Sequence, residues 1–169
     1  MRGRNQQDMT ERRSQAGERA ATKPAAGASA GYSGTPLWKK LGVKEGQTTW
    51  RVGMPESVAE EIAAGGVSPV LVRSPRAGLA MAHLFVTRRA ELAMYLEKLR
   101  GLLAPDGVVW VSWPKKTVPK GVTAIASDMT EDAVRAEALP LGFVDIKVCA
   151  VDTVWSGPKL VIRKSERGS

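Results

Sequence analysis

Apolar residues along the chain fall into short runs separated by segments with helical spacing. The runs predict six strands, at 48–53, 69–73, 80–86, 108–113, 143–152 and 158–163. The segments between them predict helices at 56–64, after Thr87 and after Thr130, and the second of these carries Leu92, Leu96, Leu99 and Leu103 at helical spacing. Strands that alternate with helices indicate an α/β domain with a mostly parallel sheet and helices on both faces.

Residues that favour helix ends define the boundaries of these helices. We expect Thr35 to cap a short entry helix that Gly42 ends. Thr87 is the expected cap of the long helix. Thr130 is the expected cap of the last helix, whose first turn holds two acidic residues that suit the helix dipole.

Composition divides the 169 residues into a tail and one domain. Residues 1–30 contain no aromatic residue and are rich in Ala, Gly, Arg and Gln, so they cannot bury enough surface to offset their ordering entropy. We therefore predict a disordered basic tail at 1–30 and a single α/β domain at 31–169. A solubilising tail is favoured over a nucleic-acid-binding arm, because acidic residues interrupt the basic ones. The net charge of +8 favours anionic partners.

Several classes of protein are disfavoured by what the chain lacks. A lone Cys149 gives no internal disulfide, and together with the lone His83 it makes no zinc site. No stretch approaches the roughly 20 apolar residues that span a bilayer, and no apolar segment follows the basic N-terminus as in a secretory signal. We expect a cytoplasmic protein with no membrane partner.

The second half carries a pattern found in a known fold. The run 102–111, LLAPDGVVWV, resembles the turn before the fifth strand of class I methyltransferases, and the last helix with its two following strands resembles the closing hairpin of that fold. The resemblance covers residues 45–164. It implies a Rossmann-like, three-layer α/β/α fold with a C-terminal antiparallel hairpin. Because only a short loop fits between the second strand and Ala80, one helix–strand–helix unit is absent, which leaves six strands.

Three further segments resemble an uncharacterised bacterial family of short Rossmann-like proteins of unknown function. They are residues 31–37, residues 113–116, and residues 147–152 with Trp155 and Ser156. That family has no assigned catalytic residues, so the resemblance implies none here.

The cofactor signature of class I methyltransferases is not matched. Those enzymes hold the methionine part of S-adenosylmethionine against a Gly-rich turn after the first strand, and hold the ribose with an acid that ends the second. Here the first turn has one glycine, Gly53, and Pro55 removes an N–H donor. The second strand ends in Arg73, which has the opposite charge from the expected acid. We predict no cofactor and expect no conventional binding of S-adenosylmethionine.

Basic residues follow three of the predicted strands. Parallel strands present their carboxyl ends at one edge of the sheet, where ligands of open α/β folds bind. The candidate anion-binding residues at that edge are Arg73, Arg88, Arg89, Lys115, Lys116 and Lys120. Two arginines at a helix start are unfavourable unless an anion, Glu91 or solvent compensates them. Trp113, beside the lysines, either stacks on a ligand base or packs; packing is favoured.

The remaining polar residues define no reaction. His83 lies within an apolar run and is expected to be a hydrogen-bonded interior residue, while Cys149 is expected to be a small core residue. Arg51, inside a central strand, needs a partner or water. We therefore favour a non-catalytic binding or regulatory module with an edge for a phosphate-bearing small molecule or nucleic acid. The alternatives are a divergent methyltransferase and a structural subunit with a homo-oligomeric or protein partner.

Overall fold

The computed structural model describes residues 34–167, and the predicted tail at 1–30 lies outside this range. The elements in chain order are α1 (Leu37–Leu41), β1 (Thr48–Val52), α2 (Glu56–Ala63), β2 (Val70–Val72), β3 (Leu79–Phe85), α3 (Arg89–Arg100), β4 (Leu103–Pro114), α4 (Glu131–Ala138), β5 (Phe143–Ala150) and β6 (Trp155–Ile162). Short 3₁₀ turns at Leu139–Leu141 and Lys164–Glu166 follow α4 and β6.

The six strands form one sheet in the order β2-β1-β3-β4-β6-β5. The first four are parallel, and β6 pairs antiparallel with both β4 and β5. The predicted fold class is confirmed: a mostly parallel six-stranded α/β sheet that ends in an antiparallel hairpin. The connection from β2 to β3 is only residues 73–78, so no helix lies between these strands.

Helices cover the sheet on both faces and divide the core into two clusters. On one side, which we call the α3 face, helices α3 and α4 pack against residues such as Leu84, Val109 and Val111. On the other, the α1 face, helices α1 and α2 pack against Phe85 and Trp110. The alternation of side chains along each strand produces this division, since neighbouring residues point to opposite faces.

Two of the three predicted helix caps are wrong. Pro36, not Thr35, occupies the cap position of α1, and Arg88, not Thr87, occupies that of α3; neither makes a side-chain cap bond. A carboxylate distant in sequence replaces the cap of α3, because Asp128 Oδ1 accepts a 2.7 Å bond from the backbone N–H of Arg89. The Thr130 cap of α4 is confirmed: its Oγ1 accepts from the N–H of Ala133 at 3.0 Å.

Two strands begin three or more residues earlier than predicted. Strand β4 begins at Leu103, opposite Leu79, and its pairing with β3 shifts register before Val108. The predicted turn at 104–107 is therefore an irregularity within a longer strand. Trp155, which precedes the predicted strand at 158–163, is the first residue of β6 and pairs with Pro114.

Tryptophan side chains fix the entry helix to the domain. Trp38 of α1 lies against Gly65, where an added Cβ would collide with the indole ring. Trp110 Nε1 donates a 2.9 Å bond to the carbonyl oxygen of Leu41 at the end of α1. The α1 helix is only five residues long, so these tertiary contacts, rather than helix propensity, hold it in place.

Candidate ligand-binding edge

The switch point of the sheet lies between β1 and β3. From β1 the chain passes through α2 on the α1 face to β2, whereas from β3 it passes through α3 on the opposite face to β4. Adjacent parallel strands whose helices leave on opposite faces open a crevice beyond their carboxyl ends, and ligands of open α/β sheets bind there. Gly53, Phe85 and the residues that follow them border this crevice.

The turn after β1 requires glycine. Gly53 has φ +66°, a left-handed conformation, and a Cβ built on it would lie 2.9 Å from the carbonyl oxygen of Phe85. Both observations exclude a larger side chain without a shift of backbone. The turn therefore brings the ends of β1 and β3 into direct contact at the switch point.

The six predicted basic residues all follow carboxyl ends of parallel strands. Arg73 follows β2, Arg88 and Arg89 follow β3, and the three lysines follow β4, so the topology brings all of them to one edge of the sheet. Within residues 34–167 four of them make no ion pair or side-chain hydrogen bond: Arg73, Arg88, Lys116 and Lys120. All four are exposed.

Arg89 differs from these four, because carboxylates of this chain already surround it. Its Nε donates to Glu137 Oε2 of α4 at 2.6 Å, and its backbone N–H donates to Asp128. Glu91 was one of the compensating groups expected from the sequence, beside an anion or solvent. The actual partners are 39 and 48 residues away, and only the packing of α4 and its preceding loop against α3 brings them there.

Lys115 and Asp152 stabilise the loop between β5 and β6. The backbone N–H of Lys115 donates to the carbonyl oxygen of Val154 at 2.8 Å, and its Nζ lies 3.4 Å from the carbonyl oxygen of Asp152. The Asp152 carboxylate accepts the N–H groups of Val154 and Trp155, each at 2.8 Å. These bonds give both residues a structural role at the carboxyl edge.

Trp113 is half-buried and packs against the core of the α3 face, whereas Trp110 lies in the other cluster. The two tryptophans lie three positions apart in one strand, so the alternation of side chains places them on opposite faces. Stacking of Trp113 on a ligand stays a prediction.

A buried polar pair lies on the α1 face. His83, fully buried in β3, is 2.9 Å from Ser112 Oγ through its Nε2, and its ring stacks on Phe85 with centroids 4.4 Å apart. Burial, with a smaller contribution from the neighbouring charge of Arg51, lowers the pKa of His83 to about 3. Burial also lowers the pKa of half-buried Arg51, which has no acidic partner among the described residues. His83 is therefore a neutral interior residue.

Residues 34–167 contain no activated cysteine, no cluster of metal ligands and no membrane-spanning helix. Cys149 is buried, and burial raises the pKa of its thiol, so it is a core residue and not an activated nucleophile. Among residues 34–167 no group of three or more His, Cys, Asp or Glu side chains is placed to hold a metal ion. Nor does this range contain a helix long and apolar enough to cross a membrane.

No protein-family model matches the chain, and no curated protein matches it in sequence. Solved structures do match in shape. A SAM-dependent methyltransferase from Aquifex aeolicus superposes with a TM-score of 0.53 at 18% identity, over 75% of this chain and 87% of the other. The CcbJ methyltransferase from Streptomyces caelestis superposes with a TM-score of 0.51 at 10% identity, over 75% and 88%. The fold is methyltransferase-like.

This finding corrects the cofactor prediction. The absence of an acid after β2 suggested that S-adenosylmethionine would not bind, yet the solved structures of this shape include a SAM-dependent methyltransferase. Pro55 and Arg73 do not decide whether the cofactor binds, because a ligand contact at the end of a strand can come from any loop at that edge.

The residues present fit S-adenosylmethionine in part. The turn at Gly53 borders the switch-point crevice, but the space of its missing Cβ is filled by the Phe85 carbonyl oxygen. Arg73, a donor-only side chain, stands where an acid would accept hydrogen bonds from the ribose hydroxyls. Glu56, exposed at the first position of α2 and three residues after Gly53, is an acid at the same edge.

Proposed function

We propose that this chain is a divergent class I methyltransferase domain that binds S-adenosylmethionine at the carboxyl edge between β1 and β3. The observation that carries the proposal is the turn at Gly53, which the contact with Phe85 restricts to glycine at the switch point of a methyltransferase-like sheet. When bound, the cofactor supplies an activated methyl group on its sulfonium. Topology and turn geometry support this proposal, although no catalytic residue follows from them.

Gly53 and Glu56 are the residues that we propose hold the cofactor. Gly53 shapes the turn that borders the crevice, and the Glu56 carboxylate accepts hydrogen bonds from hydroxyl groups, as the absent acid after β2 would. Arg73 then lies beside the ligand as a hydrogen-bond donor. The cofactor is thus held by a residue of α2 in place of one at the end of β2.

Isothermal titration calorimetry with S-adenosylmethionine and S-adenosylhomocysteine tests this proposal. We expect saturable binding that weakens at least about tenfold in Glu56→Gln, a loss of about 1.4 kcal/mol. Glu60→Gln is the matched control, because Glu60 is exposed one turn further along the same helix. Binding of neither compound, or equal loss in both variants, would overturn it.

A second candidate function is supported by the unpaired basic residues. Arg73, Arg88 and Lys116 are exposed at the carboxyl edge without an ion pair in residues 34–167, which suits a phosphate-bearing small molecule or nucleic acid. In this alternative the chain is a binding or regulatory module and not an enzyme. Lys115 and Arg89 contribute less, since both are already engaged within the chain.

Thermal shift in parallel titrations separates the two candidates. Stabilisation by S-adenosylmethionine alone supports the first. Stabilisation by nucleotides or oligonucleotides that is lost in Arg88→Gln with Lys116→Gln, but kept in the exposed control Lys98→Gln of α3, supports the second. Stabilisation by no compound in either set contradicts both.

The finer assignments also remain proposals. We propose membership in the short Rossmann-like bacterial family on segments 31–37, 113–116, and 147–152 with Trp155 and Ser156. We also propose a cytoplasmic location. A homo-oligomeric or other protein partner is tested by light scattering and by co-purification.

A further inference from the structure

Three neighbouring strands place side chains next to one another on the α1 face of the sheet, away from the carboxyl edge. Trp110 of β4 pairs with Lys159 of β6, and Lys159 pairs with Lys147 of β5. Both ammonium groups lie near the indole: Lys159 Nζ is 5.9 Å and Lys147 Nζ 6.0 Å from the centroid of the Trp110 ring. The two lysines therefore project from the same face of the sheet.

Like charges directly opposite each other on neighbouring antiparallel strands are unfavourable. Lys147 and Lys159 form such a pair, and a third lysine, Lys44, adds to it. Burial lowers the pKa of Lys159, and the charges of Lys147 and Lys44 lower it further. We call these three residues the lysine row; its members repel one another.

Lys44 and Lys159 also line an open cleft of about 450 Å³. Its other walls come from the end of α1, the residues before β1, and the starts of β3 and β4. Strand starts lie at the amino edge of a parallel sheet, so this cleft is opposite the crevice at Gly53. It is a separate location from the proposed cofactor site.

The chain itself offers little compensation for these charges. Two acids, Glu45 and Asp106, line the cleft, but Glu45 Oε1 accepts a 2.9 Å bond from the N–H of Ser68. In the described range neither acid forms an ion pair with a lysine of the row. The Trp110 ring attracts both ammonium groups, yet at about 6 Å each contact is at the limit of cation–π range and does not remove their repulsion.

We propose that the lysine row and its adjoining cleft form a second site, which binds a phosphate group. A phosphate accepts hydrogen bonds from several ammonium groups at once and cancels their mutual repulsion. The chemistry is shared by free phosphates and by the backbone of a single-stranded nucleic acid. This site is independent of the cofactor proposal, because none of its residues belongs to the carboxyl edge.

Thermal shift and fluorescence anisotropy on the whole chain test the site, with pyrophosphate as the free probe and a labelled single-stranded oligonucleotide as the polymer probe. We expect at least one probe to bind. Its affinity should fall at least about tenfold in the double variant Lys147→Gln with Lys159→Gln. Glutamine keeps the first part of the side-chain stem and removes the charge, and both lysines are at least partly exposed, so the variant should remain folded. Lys98→Gln, an exposed lysine of α3, is the control.

The outcomes are distinct. Pyrophosphate binding that the double variant loses assigns the site to free phosphates. Oligonucleotide binding alone, lost in the same variant, assigns it to the nucleic-acid backbone. Absence of binding by both probes, or equal binding by wild type and double variant, overturns the proposal. Because Glu56→Gln leaves the lysine row intact, failure here and failure of the cofactor proposal are measured separately.

Discussion

Gly53 and Phe85 meet at the switch point so closely that a Cβ on Gly53 would lie 2.9 Å from the Phe85 carbonyl oxygen. The contact joins the ends of two strands whose helices leave on opposite faces of the sheet. A glycine that looks like one of many in the sequence is thus the residue that shapes the candidate cofactor crevice.

The close contact between Gly53 and Phe85 should make the free energy of unfolding sensitive to a side chain at position 53. Gly46 is the control, because it also has positive φ, +73°, but open space around its Cβ position. We expect Gly46→Ala to lower the free energy of unfolding by roughly 1–2 kcal/mol, because alanine is strained at this positive φ. Gly53→Ala should lower it by about 1–3 kcal/mol more, because the added Cβ also overpacks the contact with Phe85. Urea unfolding measures both. Equal losses would show that Phe85 imposes no constraint.

The single histidine should stay neutral across the physiological range. His83 is the only histidine of the chain, so its imidazole gives one set of NMR signals. With burial lowering its pKa to about 3, we expect no titration between pH 8 and about pH 4. A midpoint near the ordinary value of about 6.5 would contradict the buried placement.

The same pKa shift predicts the sign of a pH effect on stability. Below about pH 6.5 the unfolded chain binds a proton at His83, whereas the folded chain does not until near pH 3. The free energy of unfolding therefore falls as the pH decreases through this window, by up to about 1.4 kcal/mol per pH unit from this group. His83→Gln should show a correspondingly shallower slope in urea unfolding at matched ionic strength.

The cap on α3 should depend on Asp128. Replacing it with Ala removes the acceptor of the Arg89 N–H, and we expect a loss of about 0.5–2 kcal/mol in the free energy of unfolding. Glu97→Ala serves as the control, since Glu97 is exposed on α3 and its side chain makes no hydrogen bond or ion pair in residues 34–167. If Asp128→Ala loses no more stability than the control, the Asp128 carboxylate does not stabilise the start of α3.

Reversing the charge of one lysine should reduce the repulsion within the lysine row. Lys147→Glu places a carboxylate directly opposite Lys159, and we expect a gain of about 0.2–1 kcal/mol. The gain should shrink at high salt because solvent ions screen exposed charges. Chemical denaturation at low and high salt measures both; a destabilised variant at low salt would show that the two ammonium groups do not repel.

Much of the fold was predictable from local pattern. The apolar run 80–86 gave β3 to within one residue, and Leu92, Leu96 and Leu99 are the buried face of α3. Thr130 was predictable as a cap because its bond to the N–H of Ala133 spans only three residues. Such features depend on residues that are close together in the sequence, so they can be predicted from the sequence alone.

The site was less predictable, because its contacts are long-range. The basic residues at the carboxyl edge follow from strand order, but which of them are already paired does not. Arg89 and Lys115 find partners 48 and 37 residues away, whereas no such pair is formed by Arg88 within the described range.

The sequence by itself determined the strands, the helices, the edge at which the basic residues lie and the glycine after β1. Tertiary structure decided that Asp128 caps α3, that Phe85 restricts Gly53, and that Lys147 stands opposite Lys159. The physical reason is the range of the interactions. Periodicity and capping act within one turn or strand, while register and packing between distant segments set which charges and backbones come within a few ångströms of each other.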